Sequence, residues 1–155
     1  MVALAAAAVG GLGDLGALAL KEWVFEPLYQ ATGRQYIPVL GRGPRPAGAK
    51  DCGILPRTCA RESYGLPSGH AAHMWAMAAF VIDLTRASPA PPTMLRLLIT
   101  VSLCSIAMIV SWSRVHLGCH TWSQVMWGGG LGCLIGGWTA GALEDTIWKT
   151  ECGRR

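Results

Sequence analysis

The sequence predicts an all-α integral membrane protein, a helical bundle with about four transmembrane helices. The first observation is composition: 52% of the residues are hydrophobic and 14% are charged, whereas a soluble domain carries about 25% charged residues. The second is the presence of 20 glycines and 7 tryptophans, because glycine is enriched in membrane helices and tryptophan at bilayer interfaces. The length suits one domain, so we treat residues 1–155 as a single membrane domain.

Four segments approach the length of about 20 mostly apolar residues that a membrane span needs. The first, residues 2–20, is rich in Ala and Gly and contains Asp14. A cleaved signal peptide is the alternative, but these residues lack the Lys or Arg that begins such a signal. The other three spans are predicted at residues 69–84, 94–112 and 121–143.

A long loop, residues 21–69, separates the first two spans and is rich in Gly, Pro and Arg. A proline-rich turn follows the second span, and the last dozen residues are predicted to form a polar tail. Cys52 and Cys59 would pair if the long loop faces an oxidising compartment. The absence of any CxxC pair gives no support for a zinc site.

The fourth span carries a ridge of glycines at four-residue spacing: Gly128, Gly132 and Gly136. Small residues at this spacing let two helices approach closely in a bilayer. We expect the ridge to pack within the chain, and homo-oligomerisation through it is the alternative.

Four spans bring three polar clusters to the same side of the membrane. These clusters are Arg45–Pro46 in the long loop, Ser68–Gly69–His70 at the start of the second span, and Arg114 with His120 between the last two spans. Ionisable residues at the ends of membrane helices are candidates for a functional site.

The chemistry of these clusters indicates a phosphate site. Ser68 is a suitable N-cap for the second span, and the N-terminus of a helix binds anions. Arginine binds phosphate oxygens with two parallel N–H groups, and histidine acts as a nucleophile or a general acid. Gln124 lies one turn after His120, where its carbonyl oxygen would accept a hydrogen bond from the imidazole.

The composition of the clusters argues against two classes of partner. No carboxylates accompany the histidines and arginines, so we expect no metal. The chain also lacks a basic run with interleaved aromatic residues, so nucleic acid is not expected as a partner.

The motifs "PSGH" at 67–70 and "SRVHLGCHTWSQ" at 113–124, preceded by "RP" at 45–46, resemble the three signatures of the type 2 phosphatidic acid phosphatase superfamily. That superfamily includes lipid phosphatases, polyisoprenyl diphosphate phosphatases and vanadium haloperoxidases. The resemblance implies a helical membrane core that needs no metal or organic cofactor.

The resemblance also implies roles for individual residues. His120 would be the nucleophile and form a phosphohistidine, and His70 would be the general acid. The phosphate would be held by Arg45, Arg114, Ser68 and the backbone N–H of Gly69.

The chain departs from the family pattern at two positions. Gln124 stands where the pattern has Asp, but "HTWSQV" resembles the third motif of dolichyl diphosphatases, which favours a polyisoprenyl diphosphate substrate. The Lys before the Arg-Pro pair is missing. Lys21 is the favoured replacement, and Arg42 and Lys50 are the alternatives.

We therefore predict a membrane lipid phosphate or diphosphate phosphatase that acts on dolichyl diphosphate or phosphatidic acid. A catalytically silent phospholipid-binding or scaffold protein and a lipid phosphotransferase are the alternatives. The distribution of Lys and Arg places the site in the cytoplasm, whereas the resemblance places it in the lumen of the endoplasmic reticulum. The orientation stays open.

Overall fold

The computed structural model describes residues 2–47, 49, 64–88 and 91–152, with side chains described through Glu144. Within these ranges the chain forms α1 (Val2–Leu20), a π-helical turn (Lys21–Phe25), α2 (Glu26–Thr32), β1 (Tyr36–Ile37), β2 (Gly41–Arg42), α3 (Gly69–Ala87), α4 (Thr93–His116) and α5 (Trp122–Cys152). The predicted helical fold class is confirmed. Each of the four long helices covers one of the predicted segments, except that α5 begins at Trp122 and not at residue 121.

The first helical segment is longer than predicted. α1, the π-helical turn and α2 follow one another without a break, so the assignment of residues 21–32 to a loop was wrong. Phe25 and Tyr29 lie one turn apart, and both are buried in a cluster with Leu66. Burial of this apolar face stabilises the helix beyond Lys21 and Glu22, the polar residues that follow the predicted span.

α5 also extends beyond its predicted end. The expected polar tail is helical as far as Cys152, so the predicted end at residue 143 was wrong. The sequence explains the extension, because no Gly or Pro stands between Gly141 and Gly153 and nothing there interrupts a helix.

α3 is the central helix of the bundle and packs against α1, α4 and α5. A Cβ atom added to any glycine of the α5 ridge would collide with a backbone carbonyl oxygen of α3 or of its N-cap residue. The pairs are Gly128 with Ser68, Gly132 with Ala72, and Gly136 with Ala76. The ridge therefore packs within the chain, as expected, and α3 occupies the surface on which the homo-oligomer alternative was based.

Two described helical segments, Val2–Thr32 and Thr93–His116, are long and apolar enough to cross a membrane, with mean hydropathy of 1.7 and 2.1. Only 6% of the apolar window in the second segment is buried inside the protein, so its apolar side chains face outward. α3 and α5 meet through small residues, with Gly132 and Gly136 of α5 against Ala72 and Ala76 of α3. The architecture is that of an integral membrane helical bundle.

A short β-hairpin covers the end of the bundle at which α3 and α5 begin. β1 and β2 pair antiparallel, with Tyr36 opposite Arg42, and the Tyr29 hydroxyl donates a hydrogen bond to the Gly41 carbonyl oxygen at 2.7 Å. Gly41 has a φ of +85°, and a Cβ there would collide with the Ser123 hydroxyl. The absence of a side chain at Gly41 thus lets the hairpin sit directly on the first turn of α5.

Candidate active site

The N-terminus of α3 forms one wall of the site. Ser68 occupies the N-cap position, as predicted, but its side chain makes no capping hydrogen bond. Its hydroxyl oxygen is buried without a hydrogen-bond partner in the part of the chain that the structure describes. The first helical hydrogen bond runs from the Ala72 N–H to the Ser68 carbonyl at 3.0 Å, so the N–H groups of residues 69–71 precede it. This helix end is suited to an anion.

The turn after α4 fixes the separation of Arg114 and His120. Gly118 adopts a φ of +72°, which reverses the chain directly after the helix. The N–H groups of Cys119 and His120 then donate to the Arg114 carbonyl oxygen at 3.0 and 3.2 Å. The six-residue spacing of the third motif is therefore the spacing that this hydrogen-bonded turn requires.

His120 is 4% exposed, and Gln124 contacts its imidazole. Nδ1 of His120 lies 3.2 Å from Oε1 of Gln124, and the Thr121 N–H donates to the same oxygen at 3.1 Å. Because an amide oxygen only accepts hydrogen bonds, Nδ1 carries the hydrogen and Nε2 keeps its lone pair. This is the hydrogen bond that the spacing of His120 and Gln124 predicts.

The amide nitrogen of Gln124 performs a second task that the sequence did not reveal. Its Nε2 donates to the carbonyl oxygens of Arg42 at 2.7 Å and Pro44 at 2.9 Å. Gln124 is fully buried, and a Cβ at Gly65 would lie 2.5 Å from its Oε1. The side chain thus ties the Arg42–Pro44 loop to His120, and a carboxylate has no hydrogen to donate to these carbonyls.

Positively charged side chains act on both histidines. Arg45 and Lys21 act electrostatically on His120, and Arg114 and Arg45 act on His70. The predicted replacement for the missing lysine, Lys21, therefore lies near the nucleophile candidate. The structure also places the Arg42 backbone beside Gln124, whereas Lys50 lies outside the described residues.

The pKa of His120 is lowered to about 4, chiefly by burial and further by the positive charges of Arg45 and Lys21. Hydrogen bonds to the Gln124 side chain and the Gly65 backbone partly oppose this shift. His120 is consequently neutral near pH 7, as a nucleophilic imidazole must be.

Two arginine side chains near the site have buried N–H groups. The Nε atoms of Arg42 and Arg114, like the Ser68 hydroxyl, are buried and have no hydrogen-bond partner among the residues described. A buried polar group without a partner is costly, and an anion with several oxygens would satisfy these donors together. Arg42 is therefore a phosphate-binding candidate in its own right, in addition to being a possible lysine replacement.

Comparison with known proteins identifies the family. The model of the PAP2 superfamily matches residues 15–148. The chain belongs to the PAP2 superfamily. It is similar to dolichyldiphosphatase 1 of Homo sapiens, with 31% identity over 131 residues that cover 78% of this chain and 48% of that protein. The protein of the same name from Mus musculus is 30% identical over 131 residues, with the same coverage.

The chain spans about half the length of these curated PAP2 relatives. No solved structure matches it significantly. The matched region contains all eight site residues that the sequence predicts: Lys21, Arg45, Ser68, Gly69, His70, Arg114, His120 and Gln124. The structure brings these eight residues to one end of the bundle.

Cys119 adds a covalent constraint to the third PAP2 motif. It directly precedes His120, is fully buried and is disulfide-bonded. The two cysteines of the long loop for which a pairing was predicted, Cys52 and Cys59, lie outside the described residues. The disulfide at Cys119 ties down the backbone next to the nucleophile candidate.

Proposed function

We propose that this protein is an integral membrane lipid phosphatase that cleaves a phosphate or diphosphate ester through a phosphohistidine at His120. The observation that supports this most strongly is the state of His120: buried, held by Gln124 through Nδ1, and neutral because its pKa is lowered to about 4. Nucleophilic attack on phosphorus needs a neutral imidazole and nearby N–H donors that can bind the phosphate oxygens.

The first step transfers the phosphoryl group. The phosphate oxygens bind the Ser68 hydroxyl, the N-terminus of α3 and the arginines. Nε2 of His120 attacks phosphorus, the bond from phosphorus to the leaving oxygen breaks, and that oxygen takes a proton from His70. The products are a phosphohistidine, a neutral His70 and the free lipid alcohol or lipid phosphate.

The second step regenerates the enzyme. Water loses a proton to His70 and attacks phosphorus, and the bond from phosphorus to Nε2 of His120 breaks. Phosphate leaves and His70 is again protonated, so protons and charges balance over the cycle. Arginine and backbone N–H groups supply the charge stabilisation, which supports a reaction that proceeds without a metal.

Dolichyl diphosphate is the substrate we favour, and phosphatidic acid is the alternative. Support comes from the similarity to dolichyldiphosphatase 1 and from the position of the site at the ends of apolar helices, where a lipid chain can stay in the bilayer. We place the site in the lumen of the endoplasmic reticulum. The disulfide at Cys119 supports this side, because disulfides persist in oxidising compartments.

The test is phosphate release by detergent-purified protein in EDTA, with dolichyl diphosphate and phosphatidic acid assayed in parallel. His120→Ala is expected to abolish release. His116→Ala is the matched control, because His116 lies on the last turn of α4 and stacks on Trp112 with ring centroids 4.7 Å apart. Turnover that persists in folded His120→Ala would refute the proposal.

The same assay separates the alternative functions. A binding or scaffold protein would retain lipid phosphate without releasing phosphate. A phosphotransferase would pass the phosphoryl group to an added alcohol, which analysis of the lipid products detects.

A further inference from the structure

α1 contains a single charged residue, Asp14, in a run of 19 otherwise uncharged residues. A carboxylate inside an apolar membrane segment costs free energy and is by default a candidate for function. Asp14 precedes the region that matches the PAP2 family, residues 15–148, so the family motifs do not account for it.

The carboxylate of Asp14 is held by a histidine of α3. Oδ2 of Asp14 lies 2.7 Å from Nδ1 of His73. On the other edge of the imidazole, a Cβ at Gly10 would lie 2.7 Å from Nε2 of His73. The ring therefore packs between α1 and α3, and the absence of a side chain at Gly10 makes the space for it.

The second carboxylate oxygen reaches the N-terminus of α3. Oδ1 of Asp14 lies 3.3 Å from the position that a Cβ of Gly69 would take. Gly69 precedes His70, and His73 lies one turn after His70 on the same helix. Asp14 thus stands beside the first turn of the helix that carries the proposed general acid.

The charged and titratable groups that act on His70 come from four parts of the chain. Arg114 comes from α4, Arg45 from the loop after β2, His73 from α3 itself and Asp14 from α1. Asp14 is the one negative charge among them. The arginines that bind the phosphate disfavour a protonated imidazole, whereas a carboxylate favours it.

We propose that Asp14, held in place by His73, is a positioning residue that favours protonation of His70 for its role as the general acid. The inference rests on the proposed function. The reaction needs a neutral His120 and a protonated His70 in the same cationic pocket. The two histidines differ in their neighbours: Gln124 offers His120 a neutral amide, whereas Asp14 offers His70 a negative charge. Asp14 is a negative charge that acts on His70 and is not among the groups that act on His120.

His73 explains why the carboxylate stays where it is needed. The side chain of Asp14 is 51% exposed, so burial alone does not fix its orientation. The hydrogen bond from Nδ1 of His73 to Oδ2 leaves Oδ1 directed at the first turn of α3. His73→Gln is therefore expected to lower kcat in the same direction as loss of the carboxylate.

The decisive variant is Asp14→Asn, which keeps the shape of the side chain and removes its charge. Asp83→Asn is the matched control, because Asp83 is also a helix carboxylate in an ion pair, 3.4 Å from Arg86 at the other end of α3. In Asp14→Asn the alkaline limb of the kcat profile is expected to move to lower pH by about one unit, with KM unchanged. Asp14→Glu is expected to return the alkaline limb part of the way to its wild-type pH.

A second measurement does not depend on turnover. Diethyl pyrocarbonate modifies the neutral imidazole, and peptide mass spectrometry reports the modification of His70 as a function of pH. The midpoint for His70 is expected to fall by about one pH unit in Asp14→Asn and to stay in place in Asp83→Asn.

The two measurements separate failure of the inference from failure of the proposed function. An inactive wild-type protein would count against the phosphatase, and the midpoint of His70 modification would still decide the role of Asp14. A kcat profile and a modification midpoint in Asp14→Asn that both equal those of Asp83→Asn would overturn the inference.

Discussion

Replacing Gln124 with Glu tests whether the amide is a weak substitute for a carboxylate or a connector in its own right. Glu keeps an oxygen at the position that accepts from Nδ1 of His120. It loses the amide hydrogens that bind the carbonyl oxygens of Arg42 and Pro44 at 2.7 and 2.9 Å. If the oxygen alone matters, Gln124→Glu should equal or exceed the wild type, because a carboxylate stabilises an imidazolium better.

The structure predicts the opposite result. A protonated Glu can donate to only one of the two carbonyls, and an ionised Glu repels both, so at least one buried hydrogen bond is lost. Leaving a buried group without its partner costs about 1–3 kcal/mol. For a chain of this size, a loss of about 2 kcal/mol lowers Tm by about 6 °C. Displacement of the Arg42–Pro44 loop should lower kcat/KM about ten- to a hundredfold.

The assay is thermal unfolding in detergent together with phosphate release from dolichyl diphosphate. Gln30→Glu is the matched control, because the Gln30 amide is exposed and donates to Glu26 at 3.1 Å. That variant should change Tm by less than about 2 °C, since exposed helix pairs contribute about 0.3–0.5 kcal/mol. Wild-type stability and activity in Gln124→Glu would refute the connecting role of the amide.

Three further predictions concern the nucleophile, the helix packing and the phosphate site. As the pH is lowered, kcat/KM should decline with a midpoint near the lowered pKa of His120, about 4, because attack on phosphorus needs the neutral imidazole. After correction for ionisation of the substrate, a midpoint at 6.5, the unshifted pKa, would contradict this prediction. Gly128→Ala would place a Cβ 3.1 Å from the Ser68 nitrogen and should cost about 1–3 kcal/mol in thermal unfolding, whereas Gly130→Ala, which faces open space, should leave Tm unchanged or raise it. Arg42→Ala should raise KM more than it lowers kcat in steady-state assays, and an unchanged KM would exclude Arg42 from phosphate binding.

The order of the helices follows from the sequence, but their ends do not. Apolar runs and the proline-rich turn locate α1, α3, α4 and α5. The extension through the π-helical turn and α2 depends on burial of Phe25 and Tyr29 against Leu66, a contact between residues far apart in the chain. Hydropathy along the chain carries no signal for such a contact.

The candidate site could be assembled from motif spacing, because the turn at Gly118 fixes Arg114 relative to His120. The amide contacts of Gln124 to the loop after β2 could not, since they join residues about 80 positions apart. Asp14 was visible in the sequence as a charged residue within the first predicted span, but the packing of α1 on α3 is needed to show what it faces. The contacts of Gln124 and Asp14 become visible in the packed structure and cannot be derived from the motifs.

The measurement that tests the account most directly is capture of the phosphoryl group on the enzyme. Purified protein is mixed with dolichyl diphosphate labelled in its terminal phosphate and quenched in alkali, in which phosphohistidine survives. The peptide that contains residues 113–124 is then analysed by mass spectrometry. The account predicts label on His120 and none in His120→Ala. Label on a different residue, or phosphate release by His120→Ala at the wild-type rate, would contradict it.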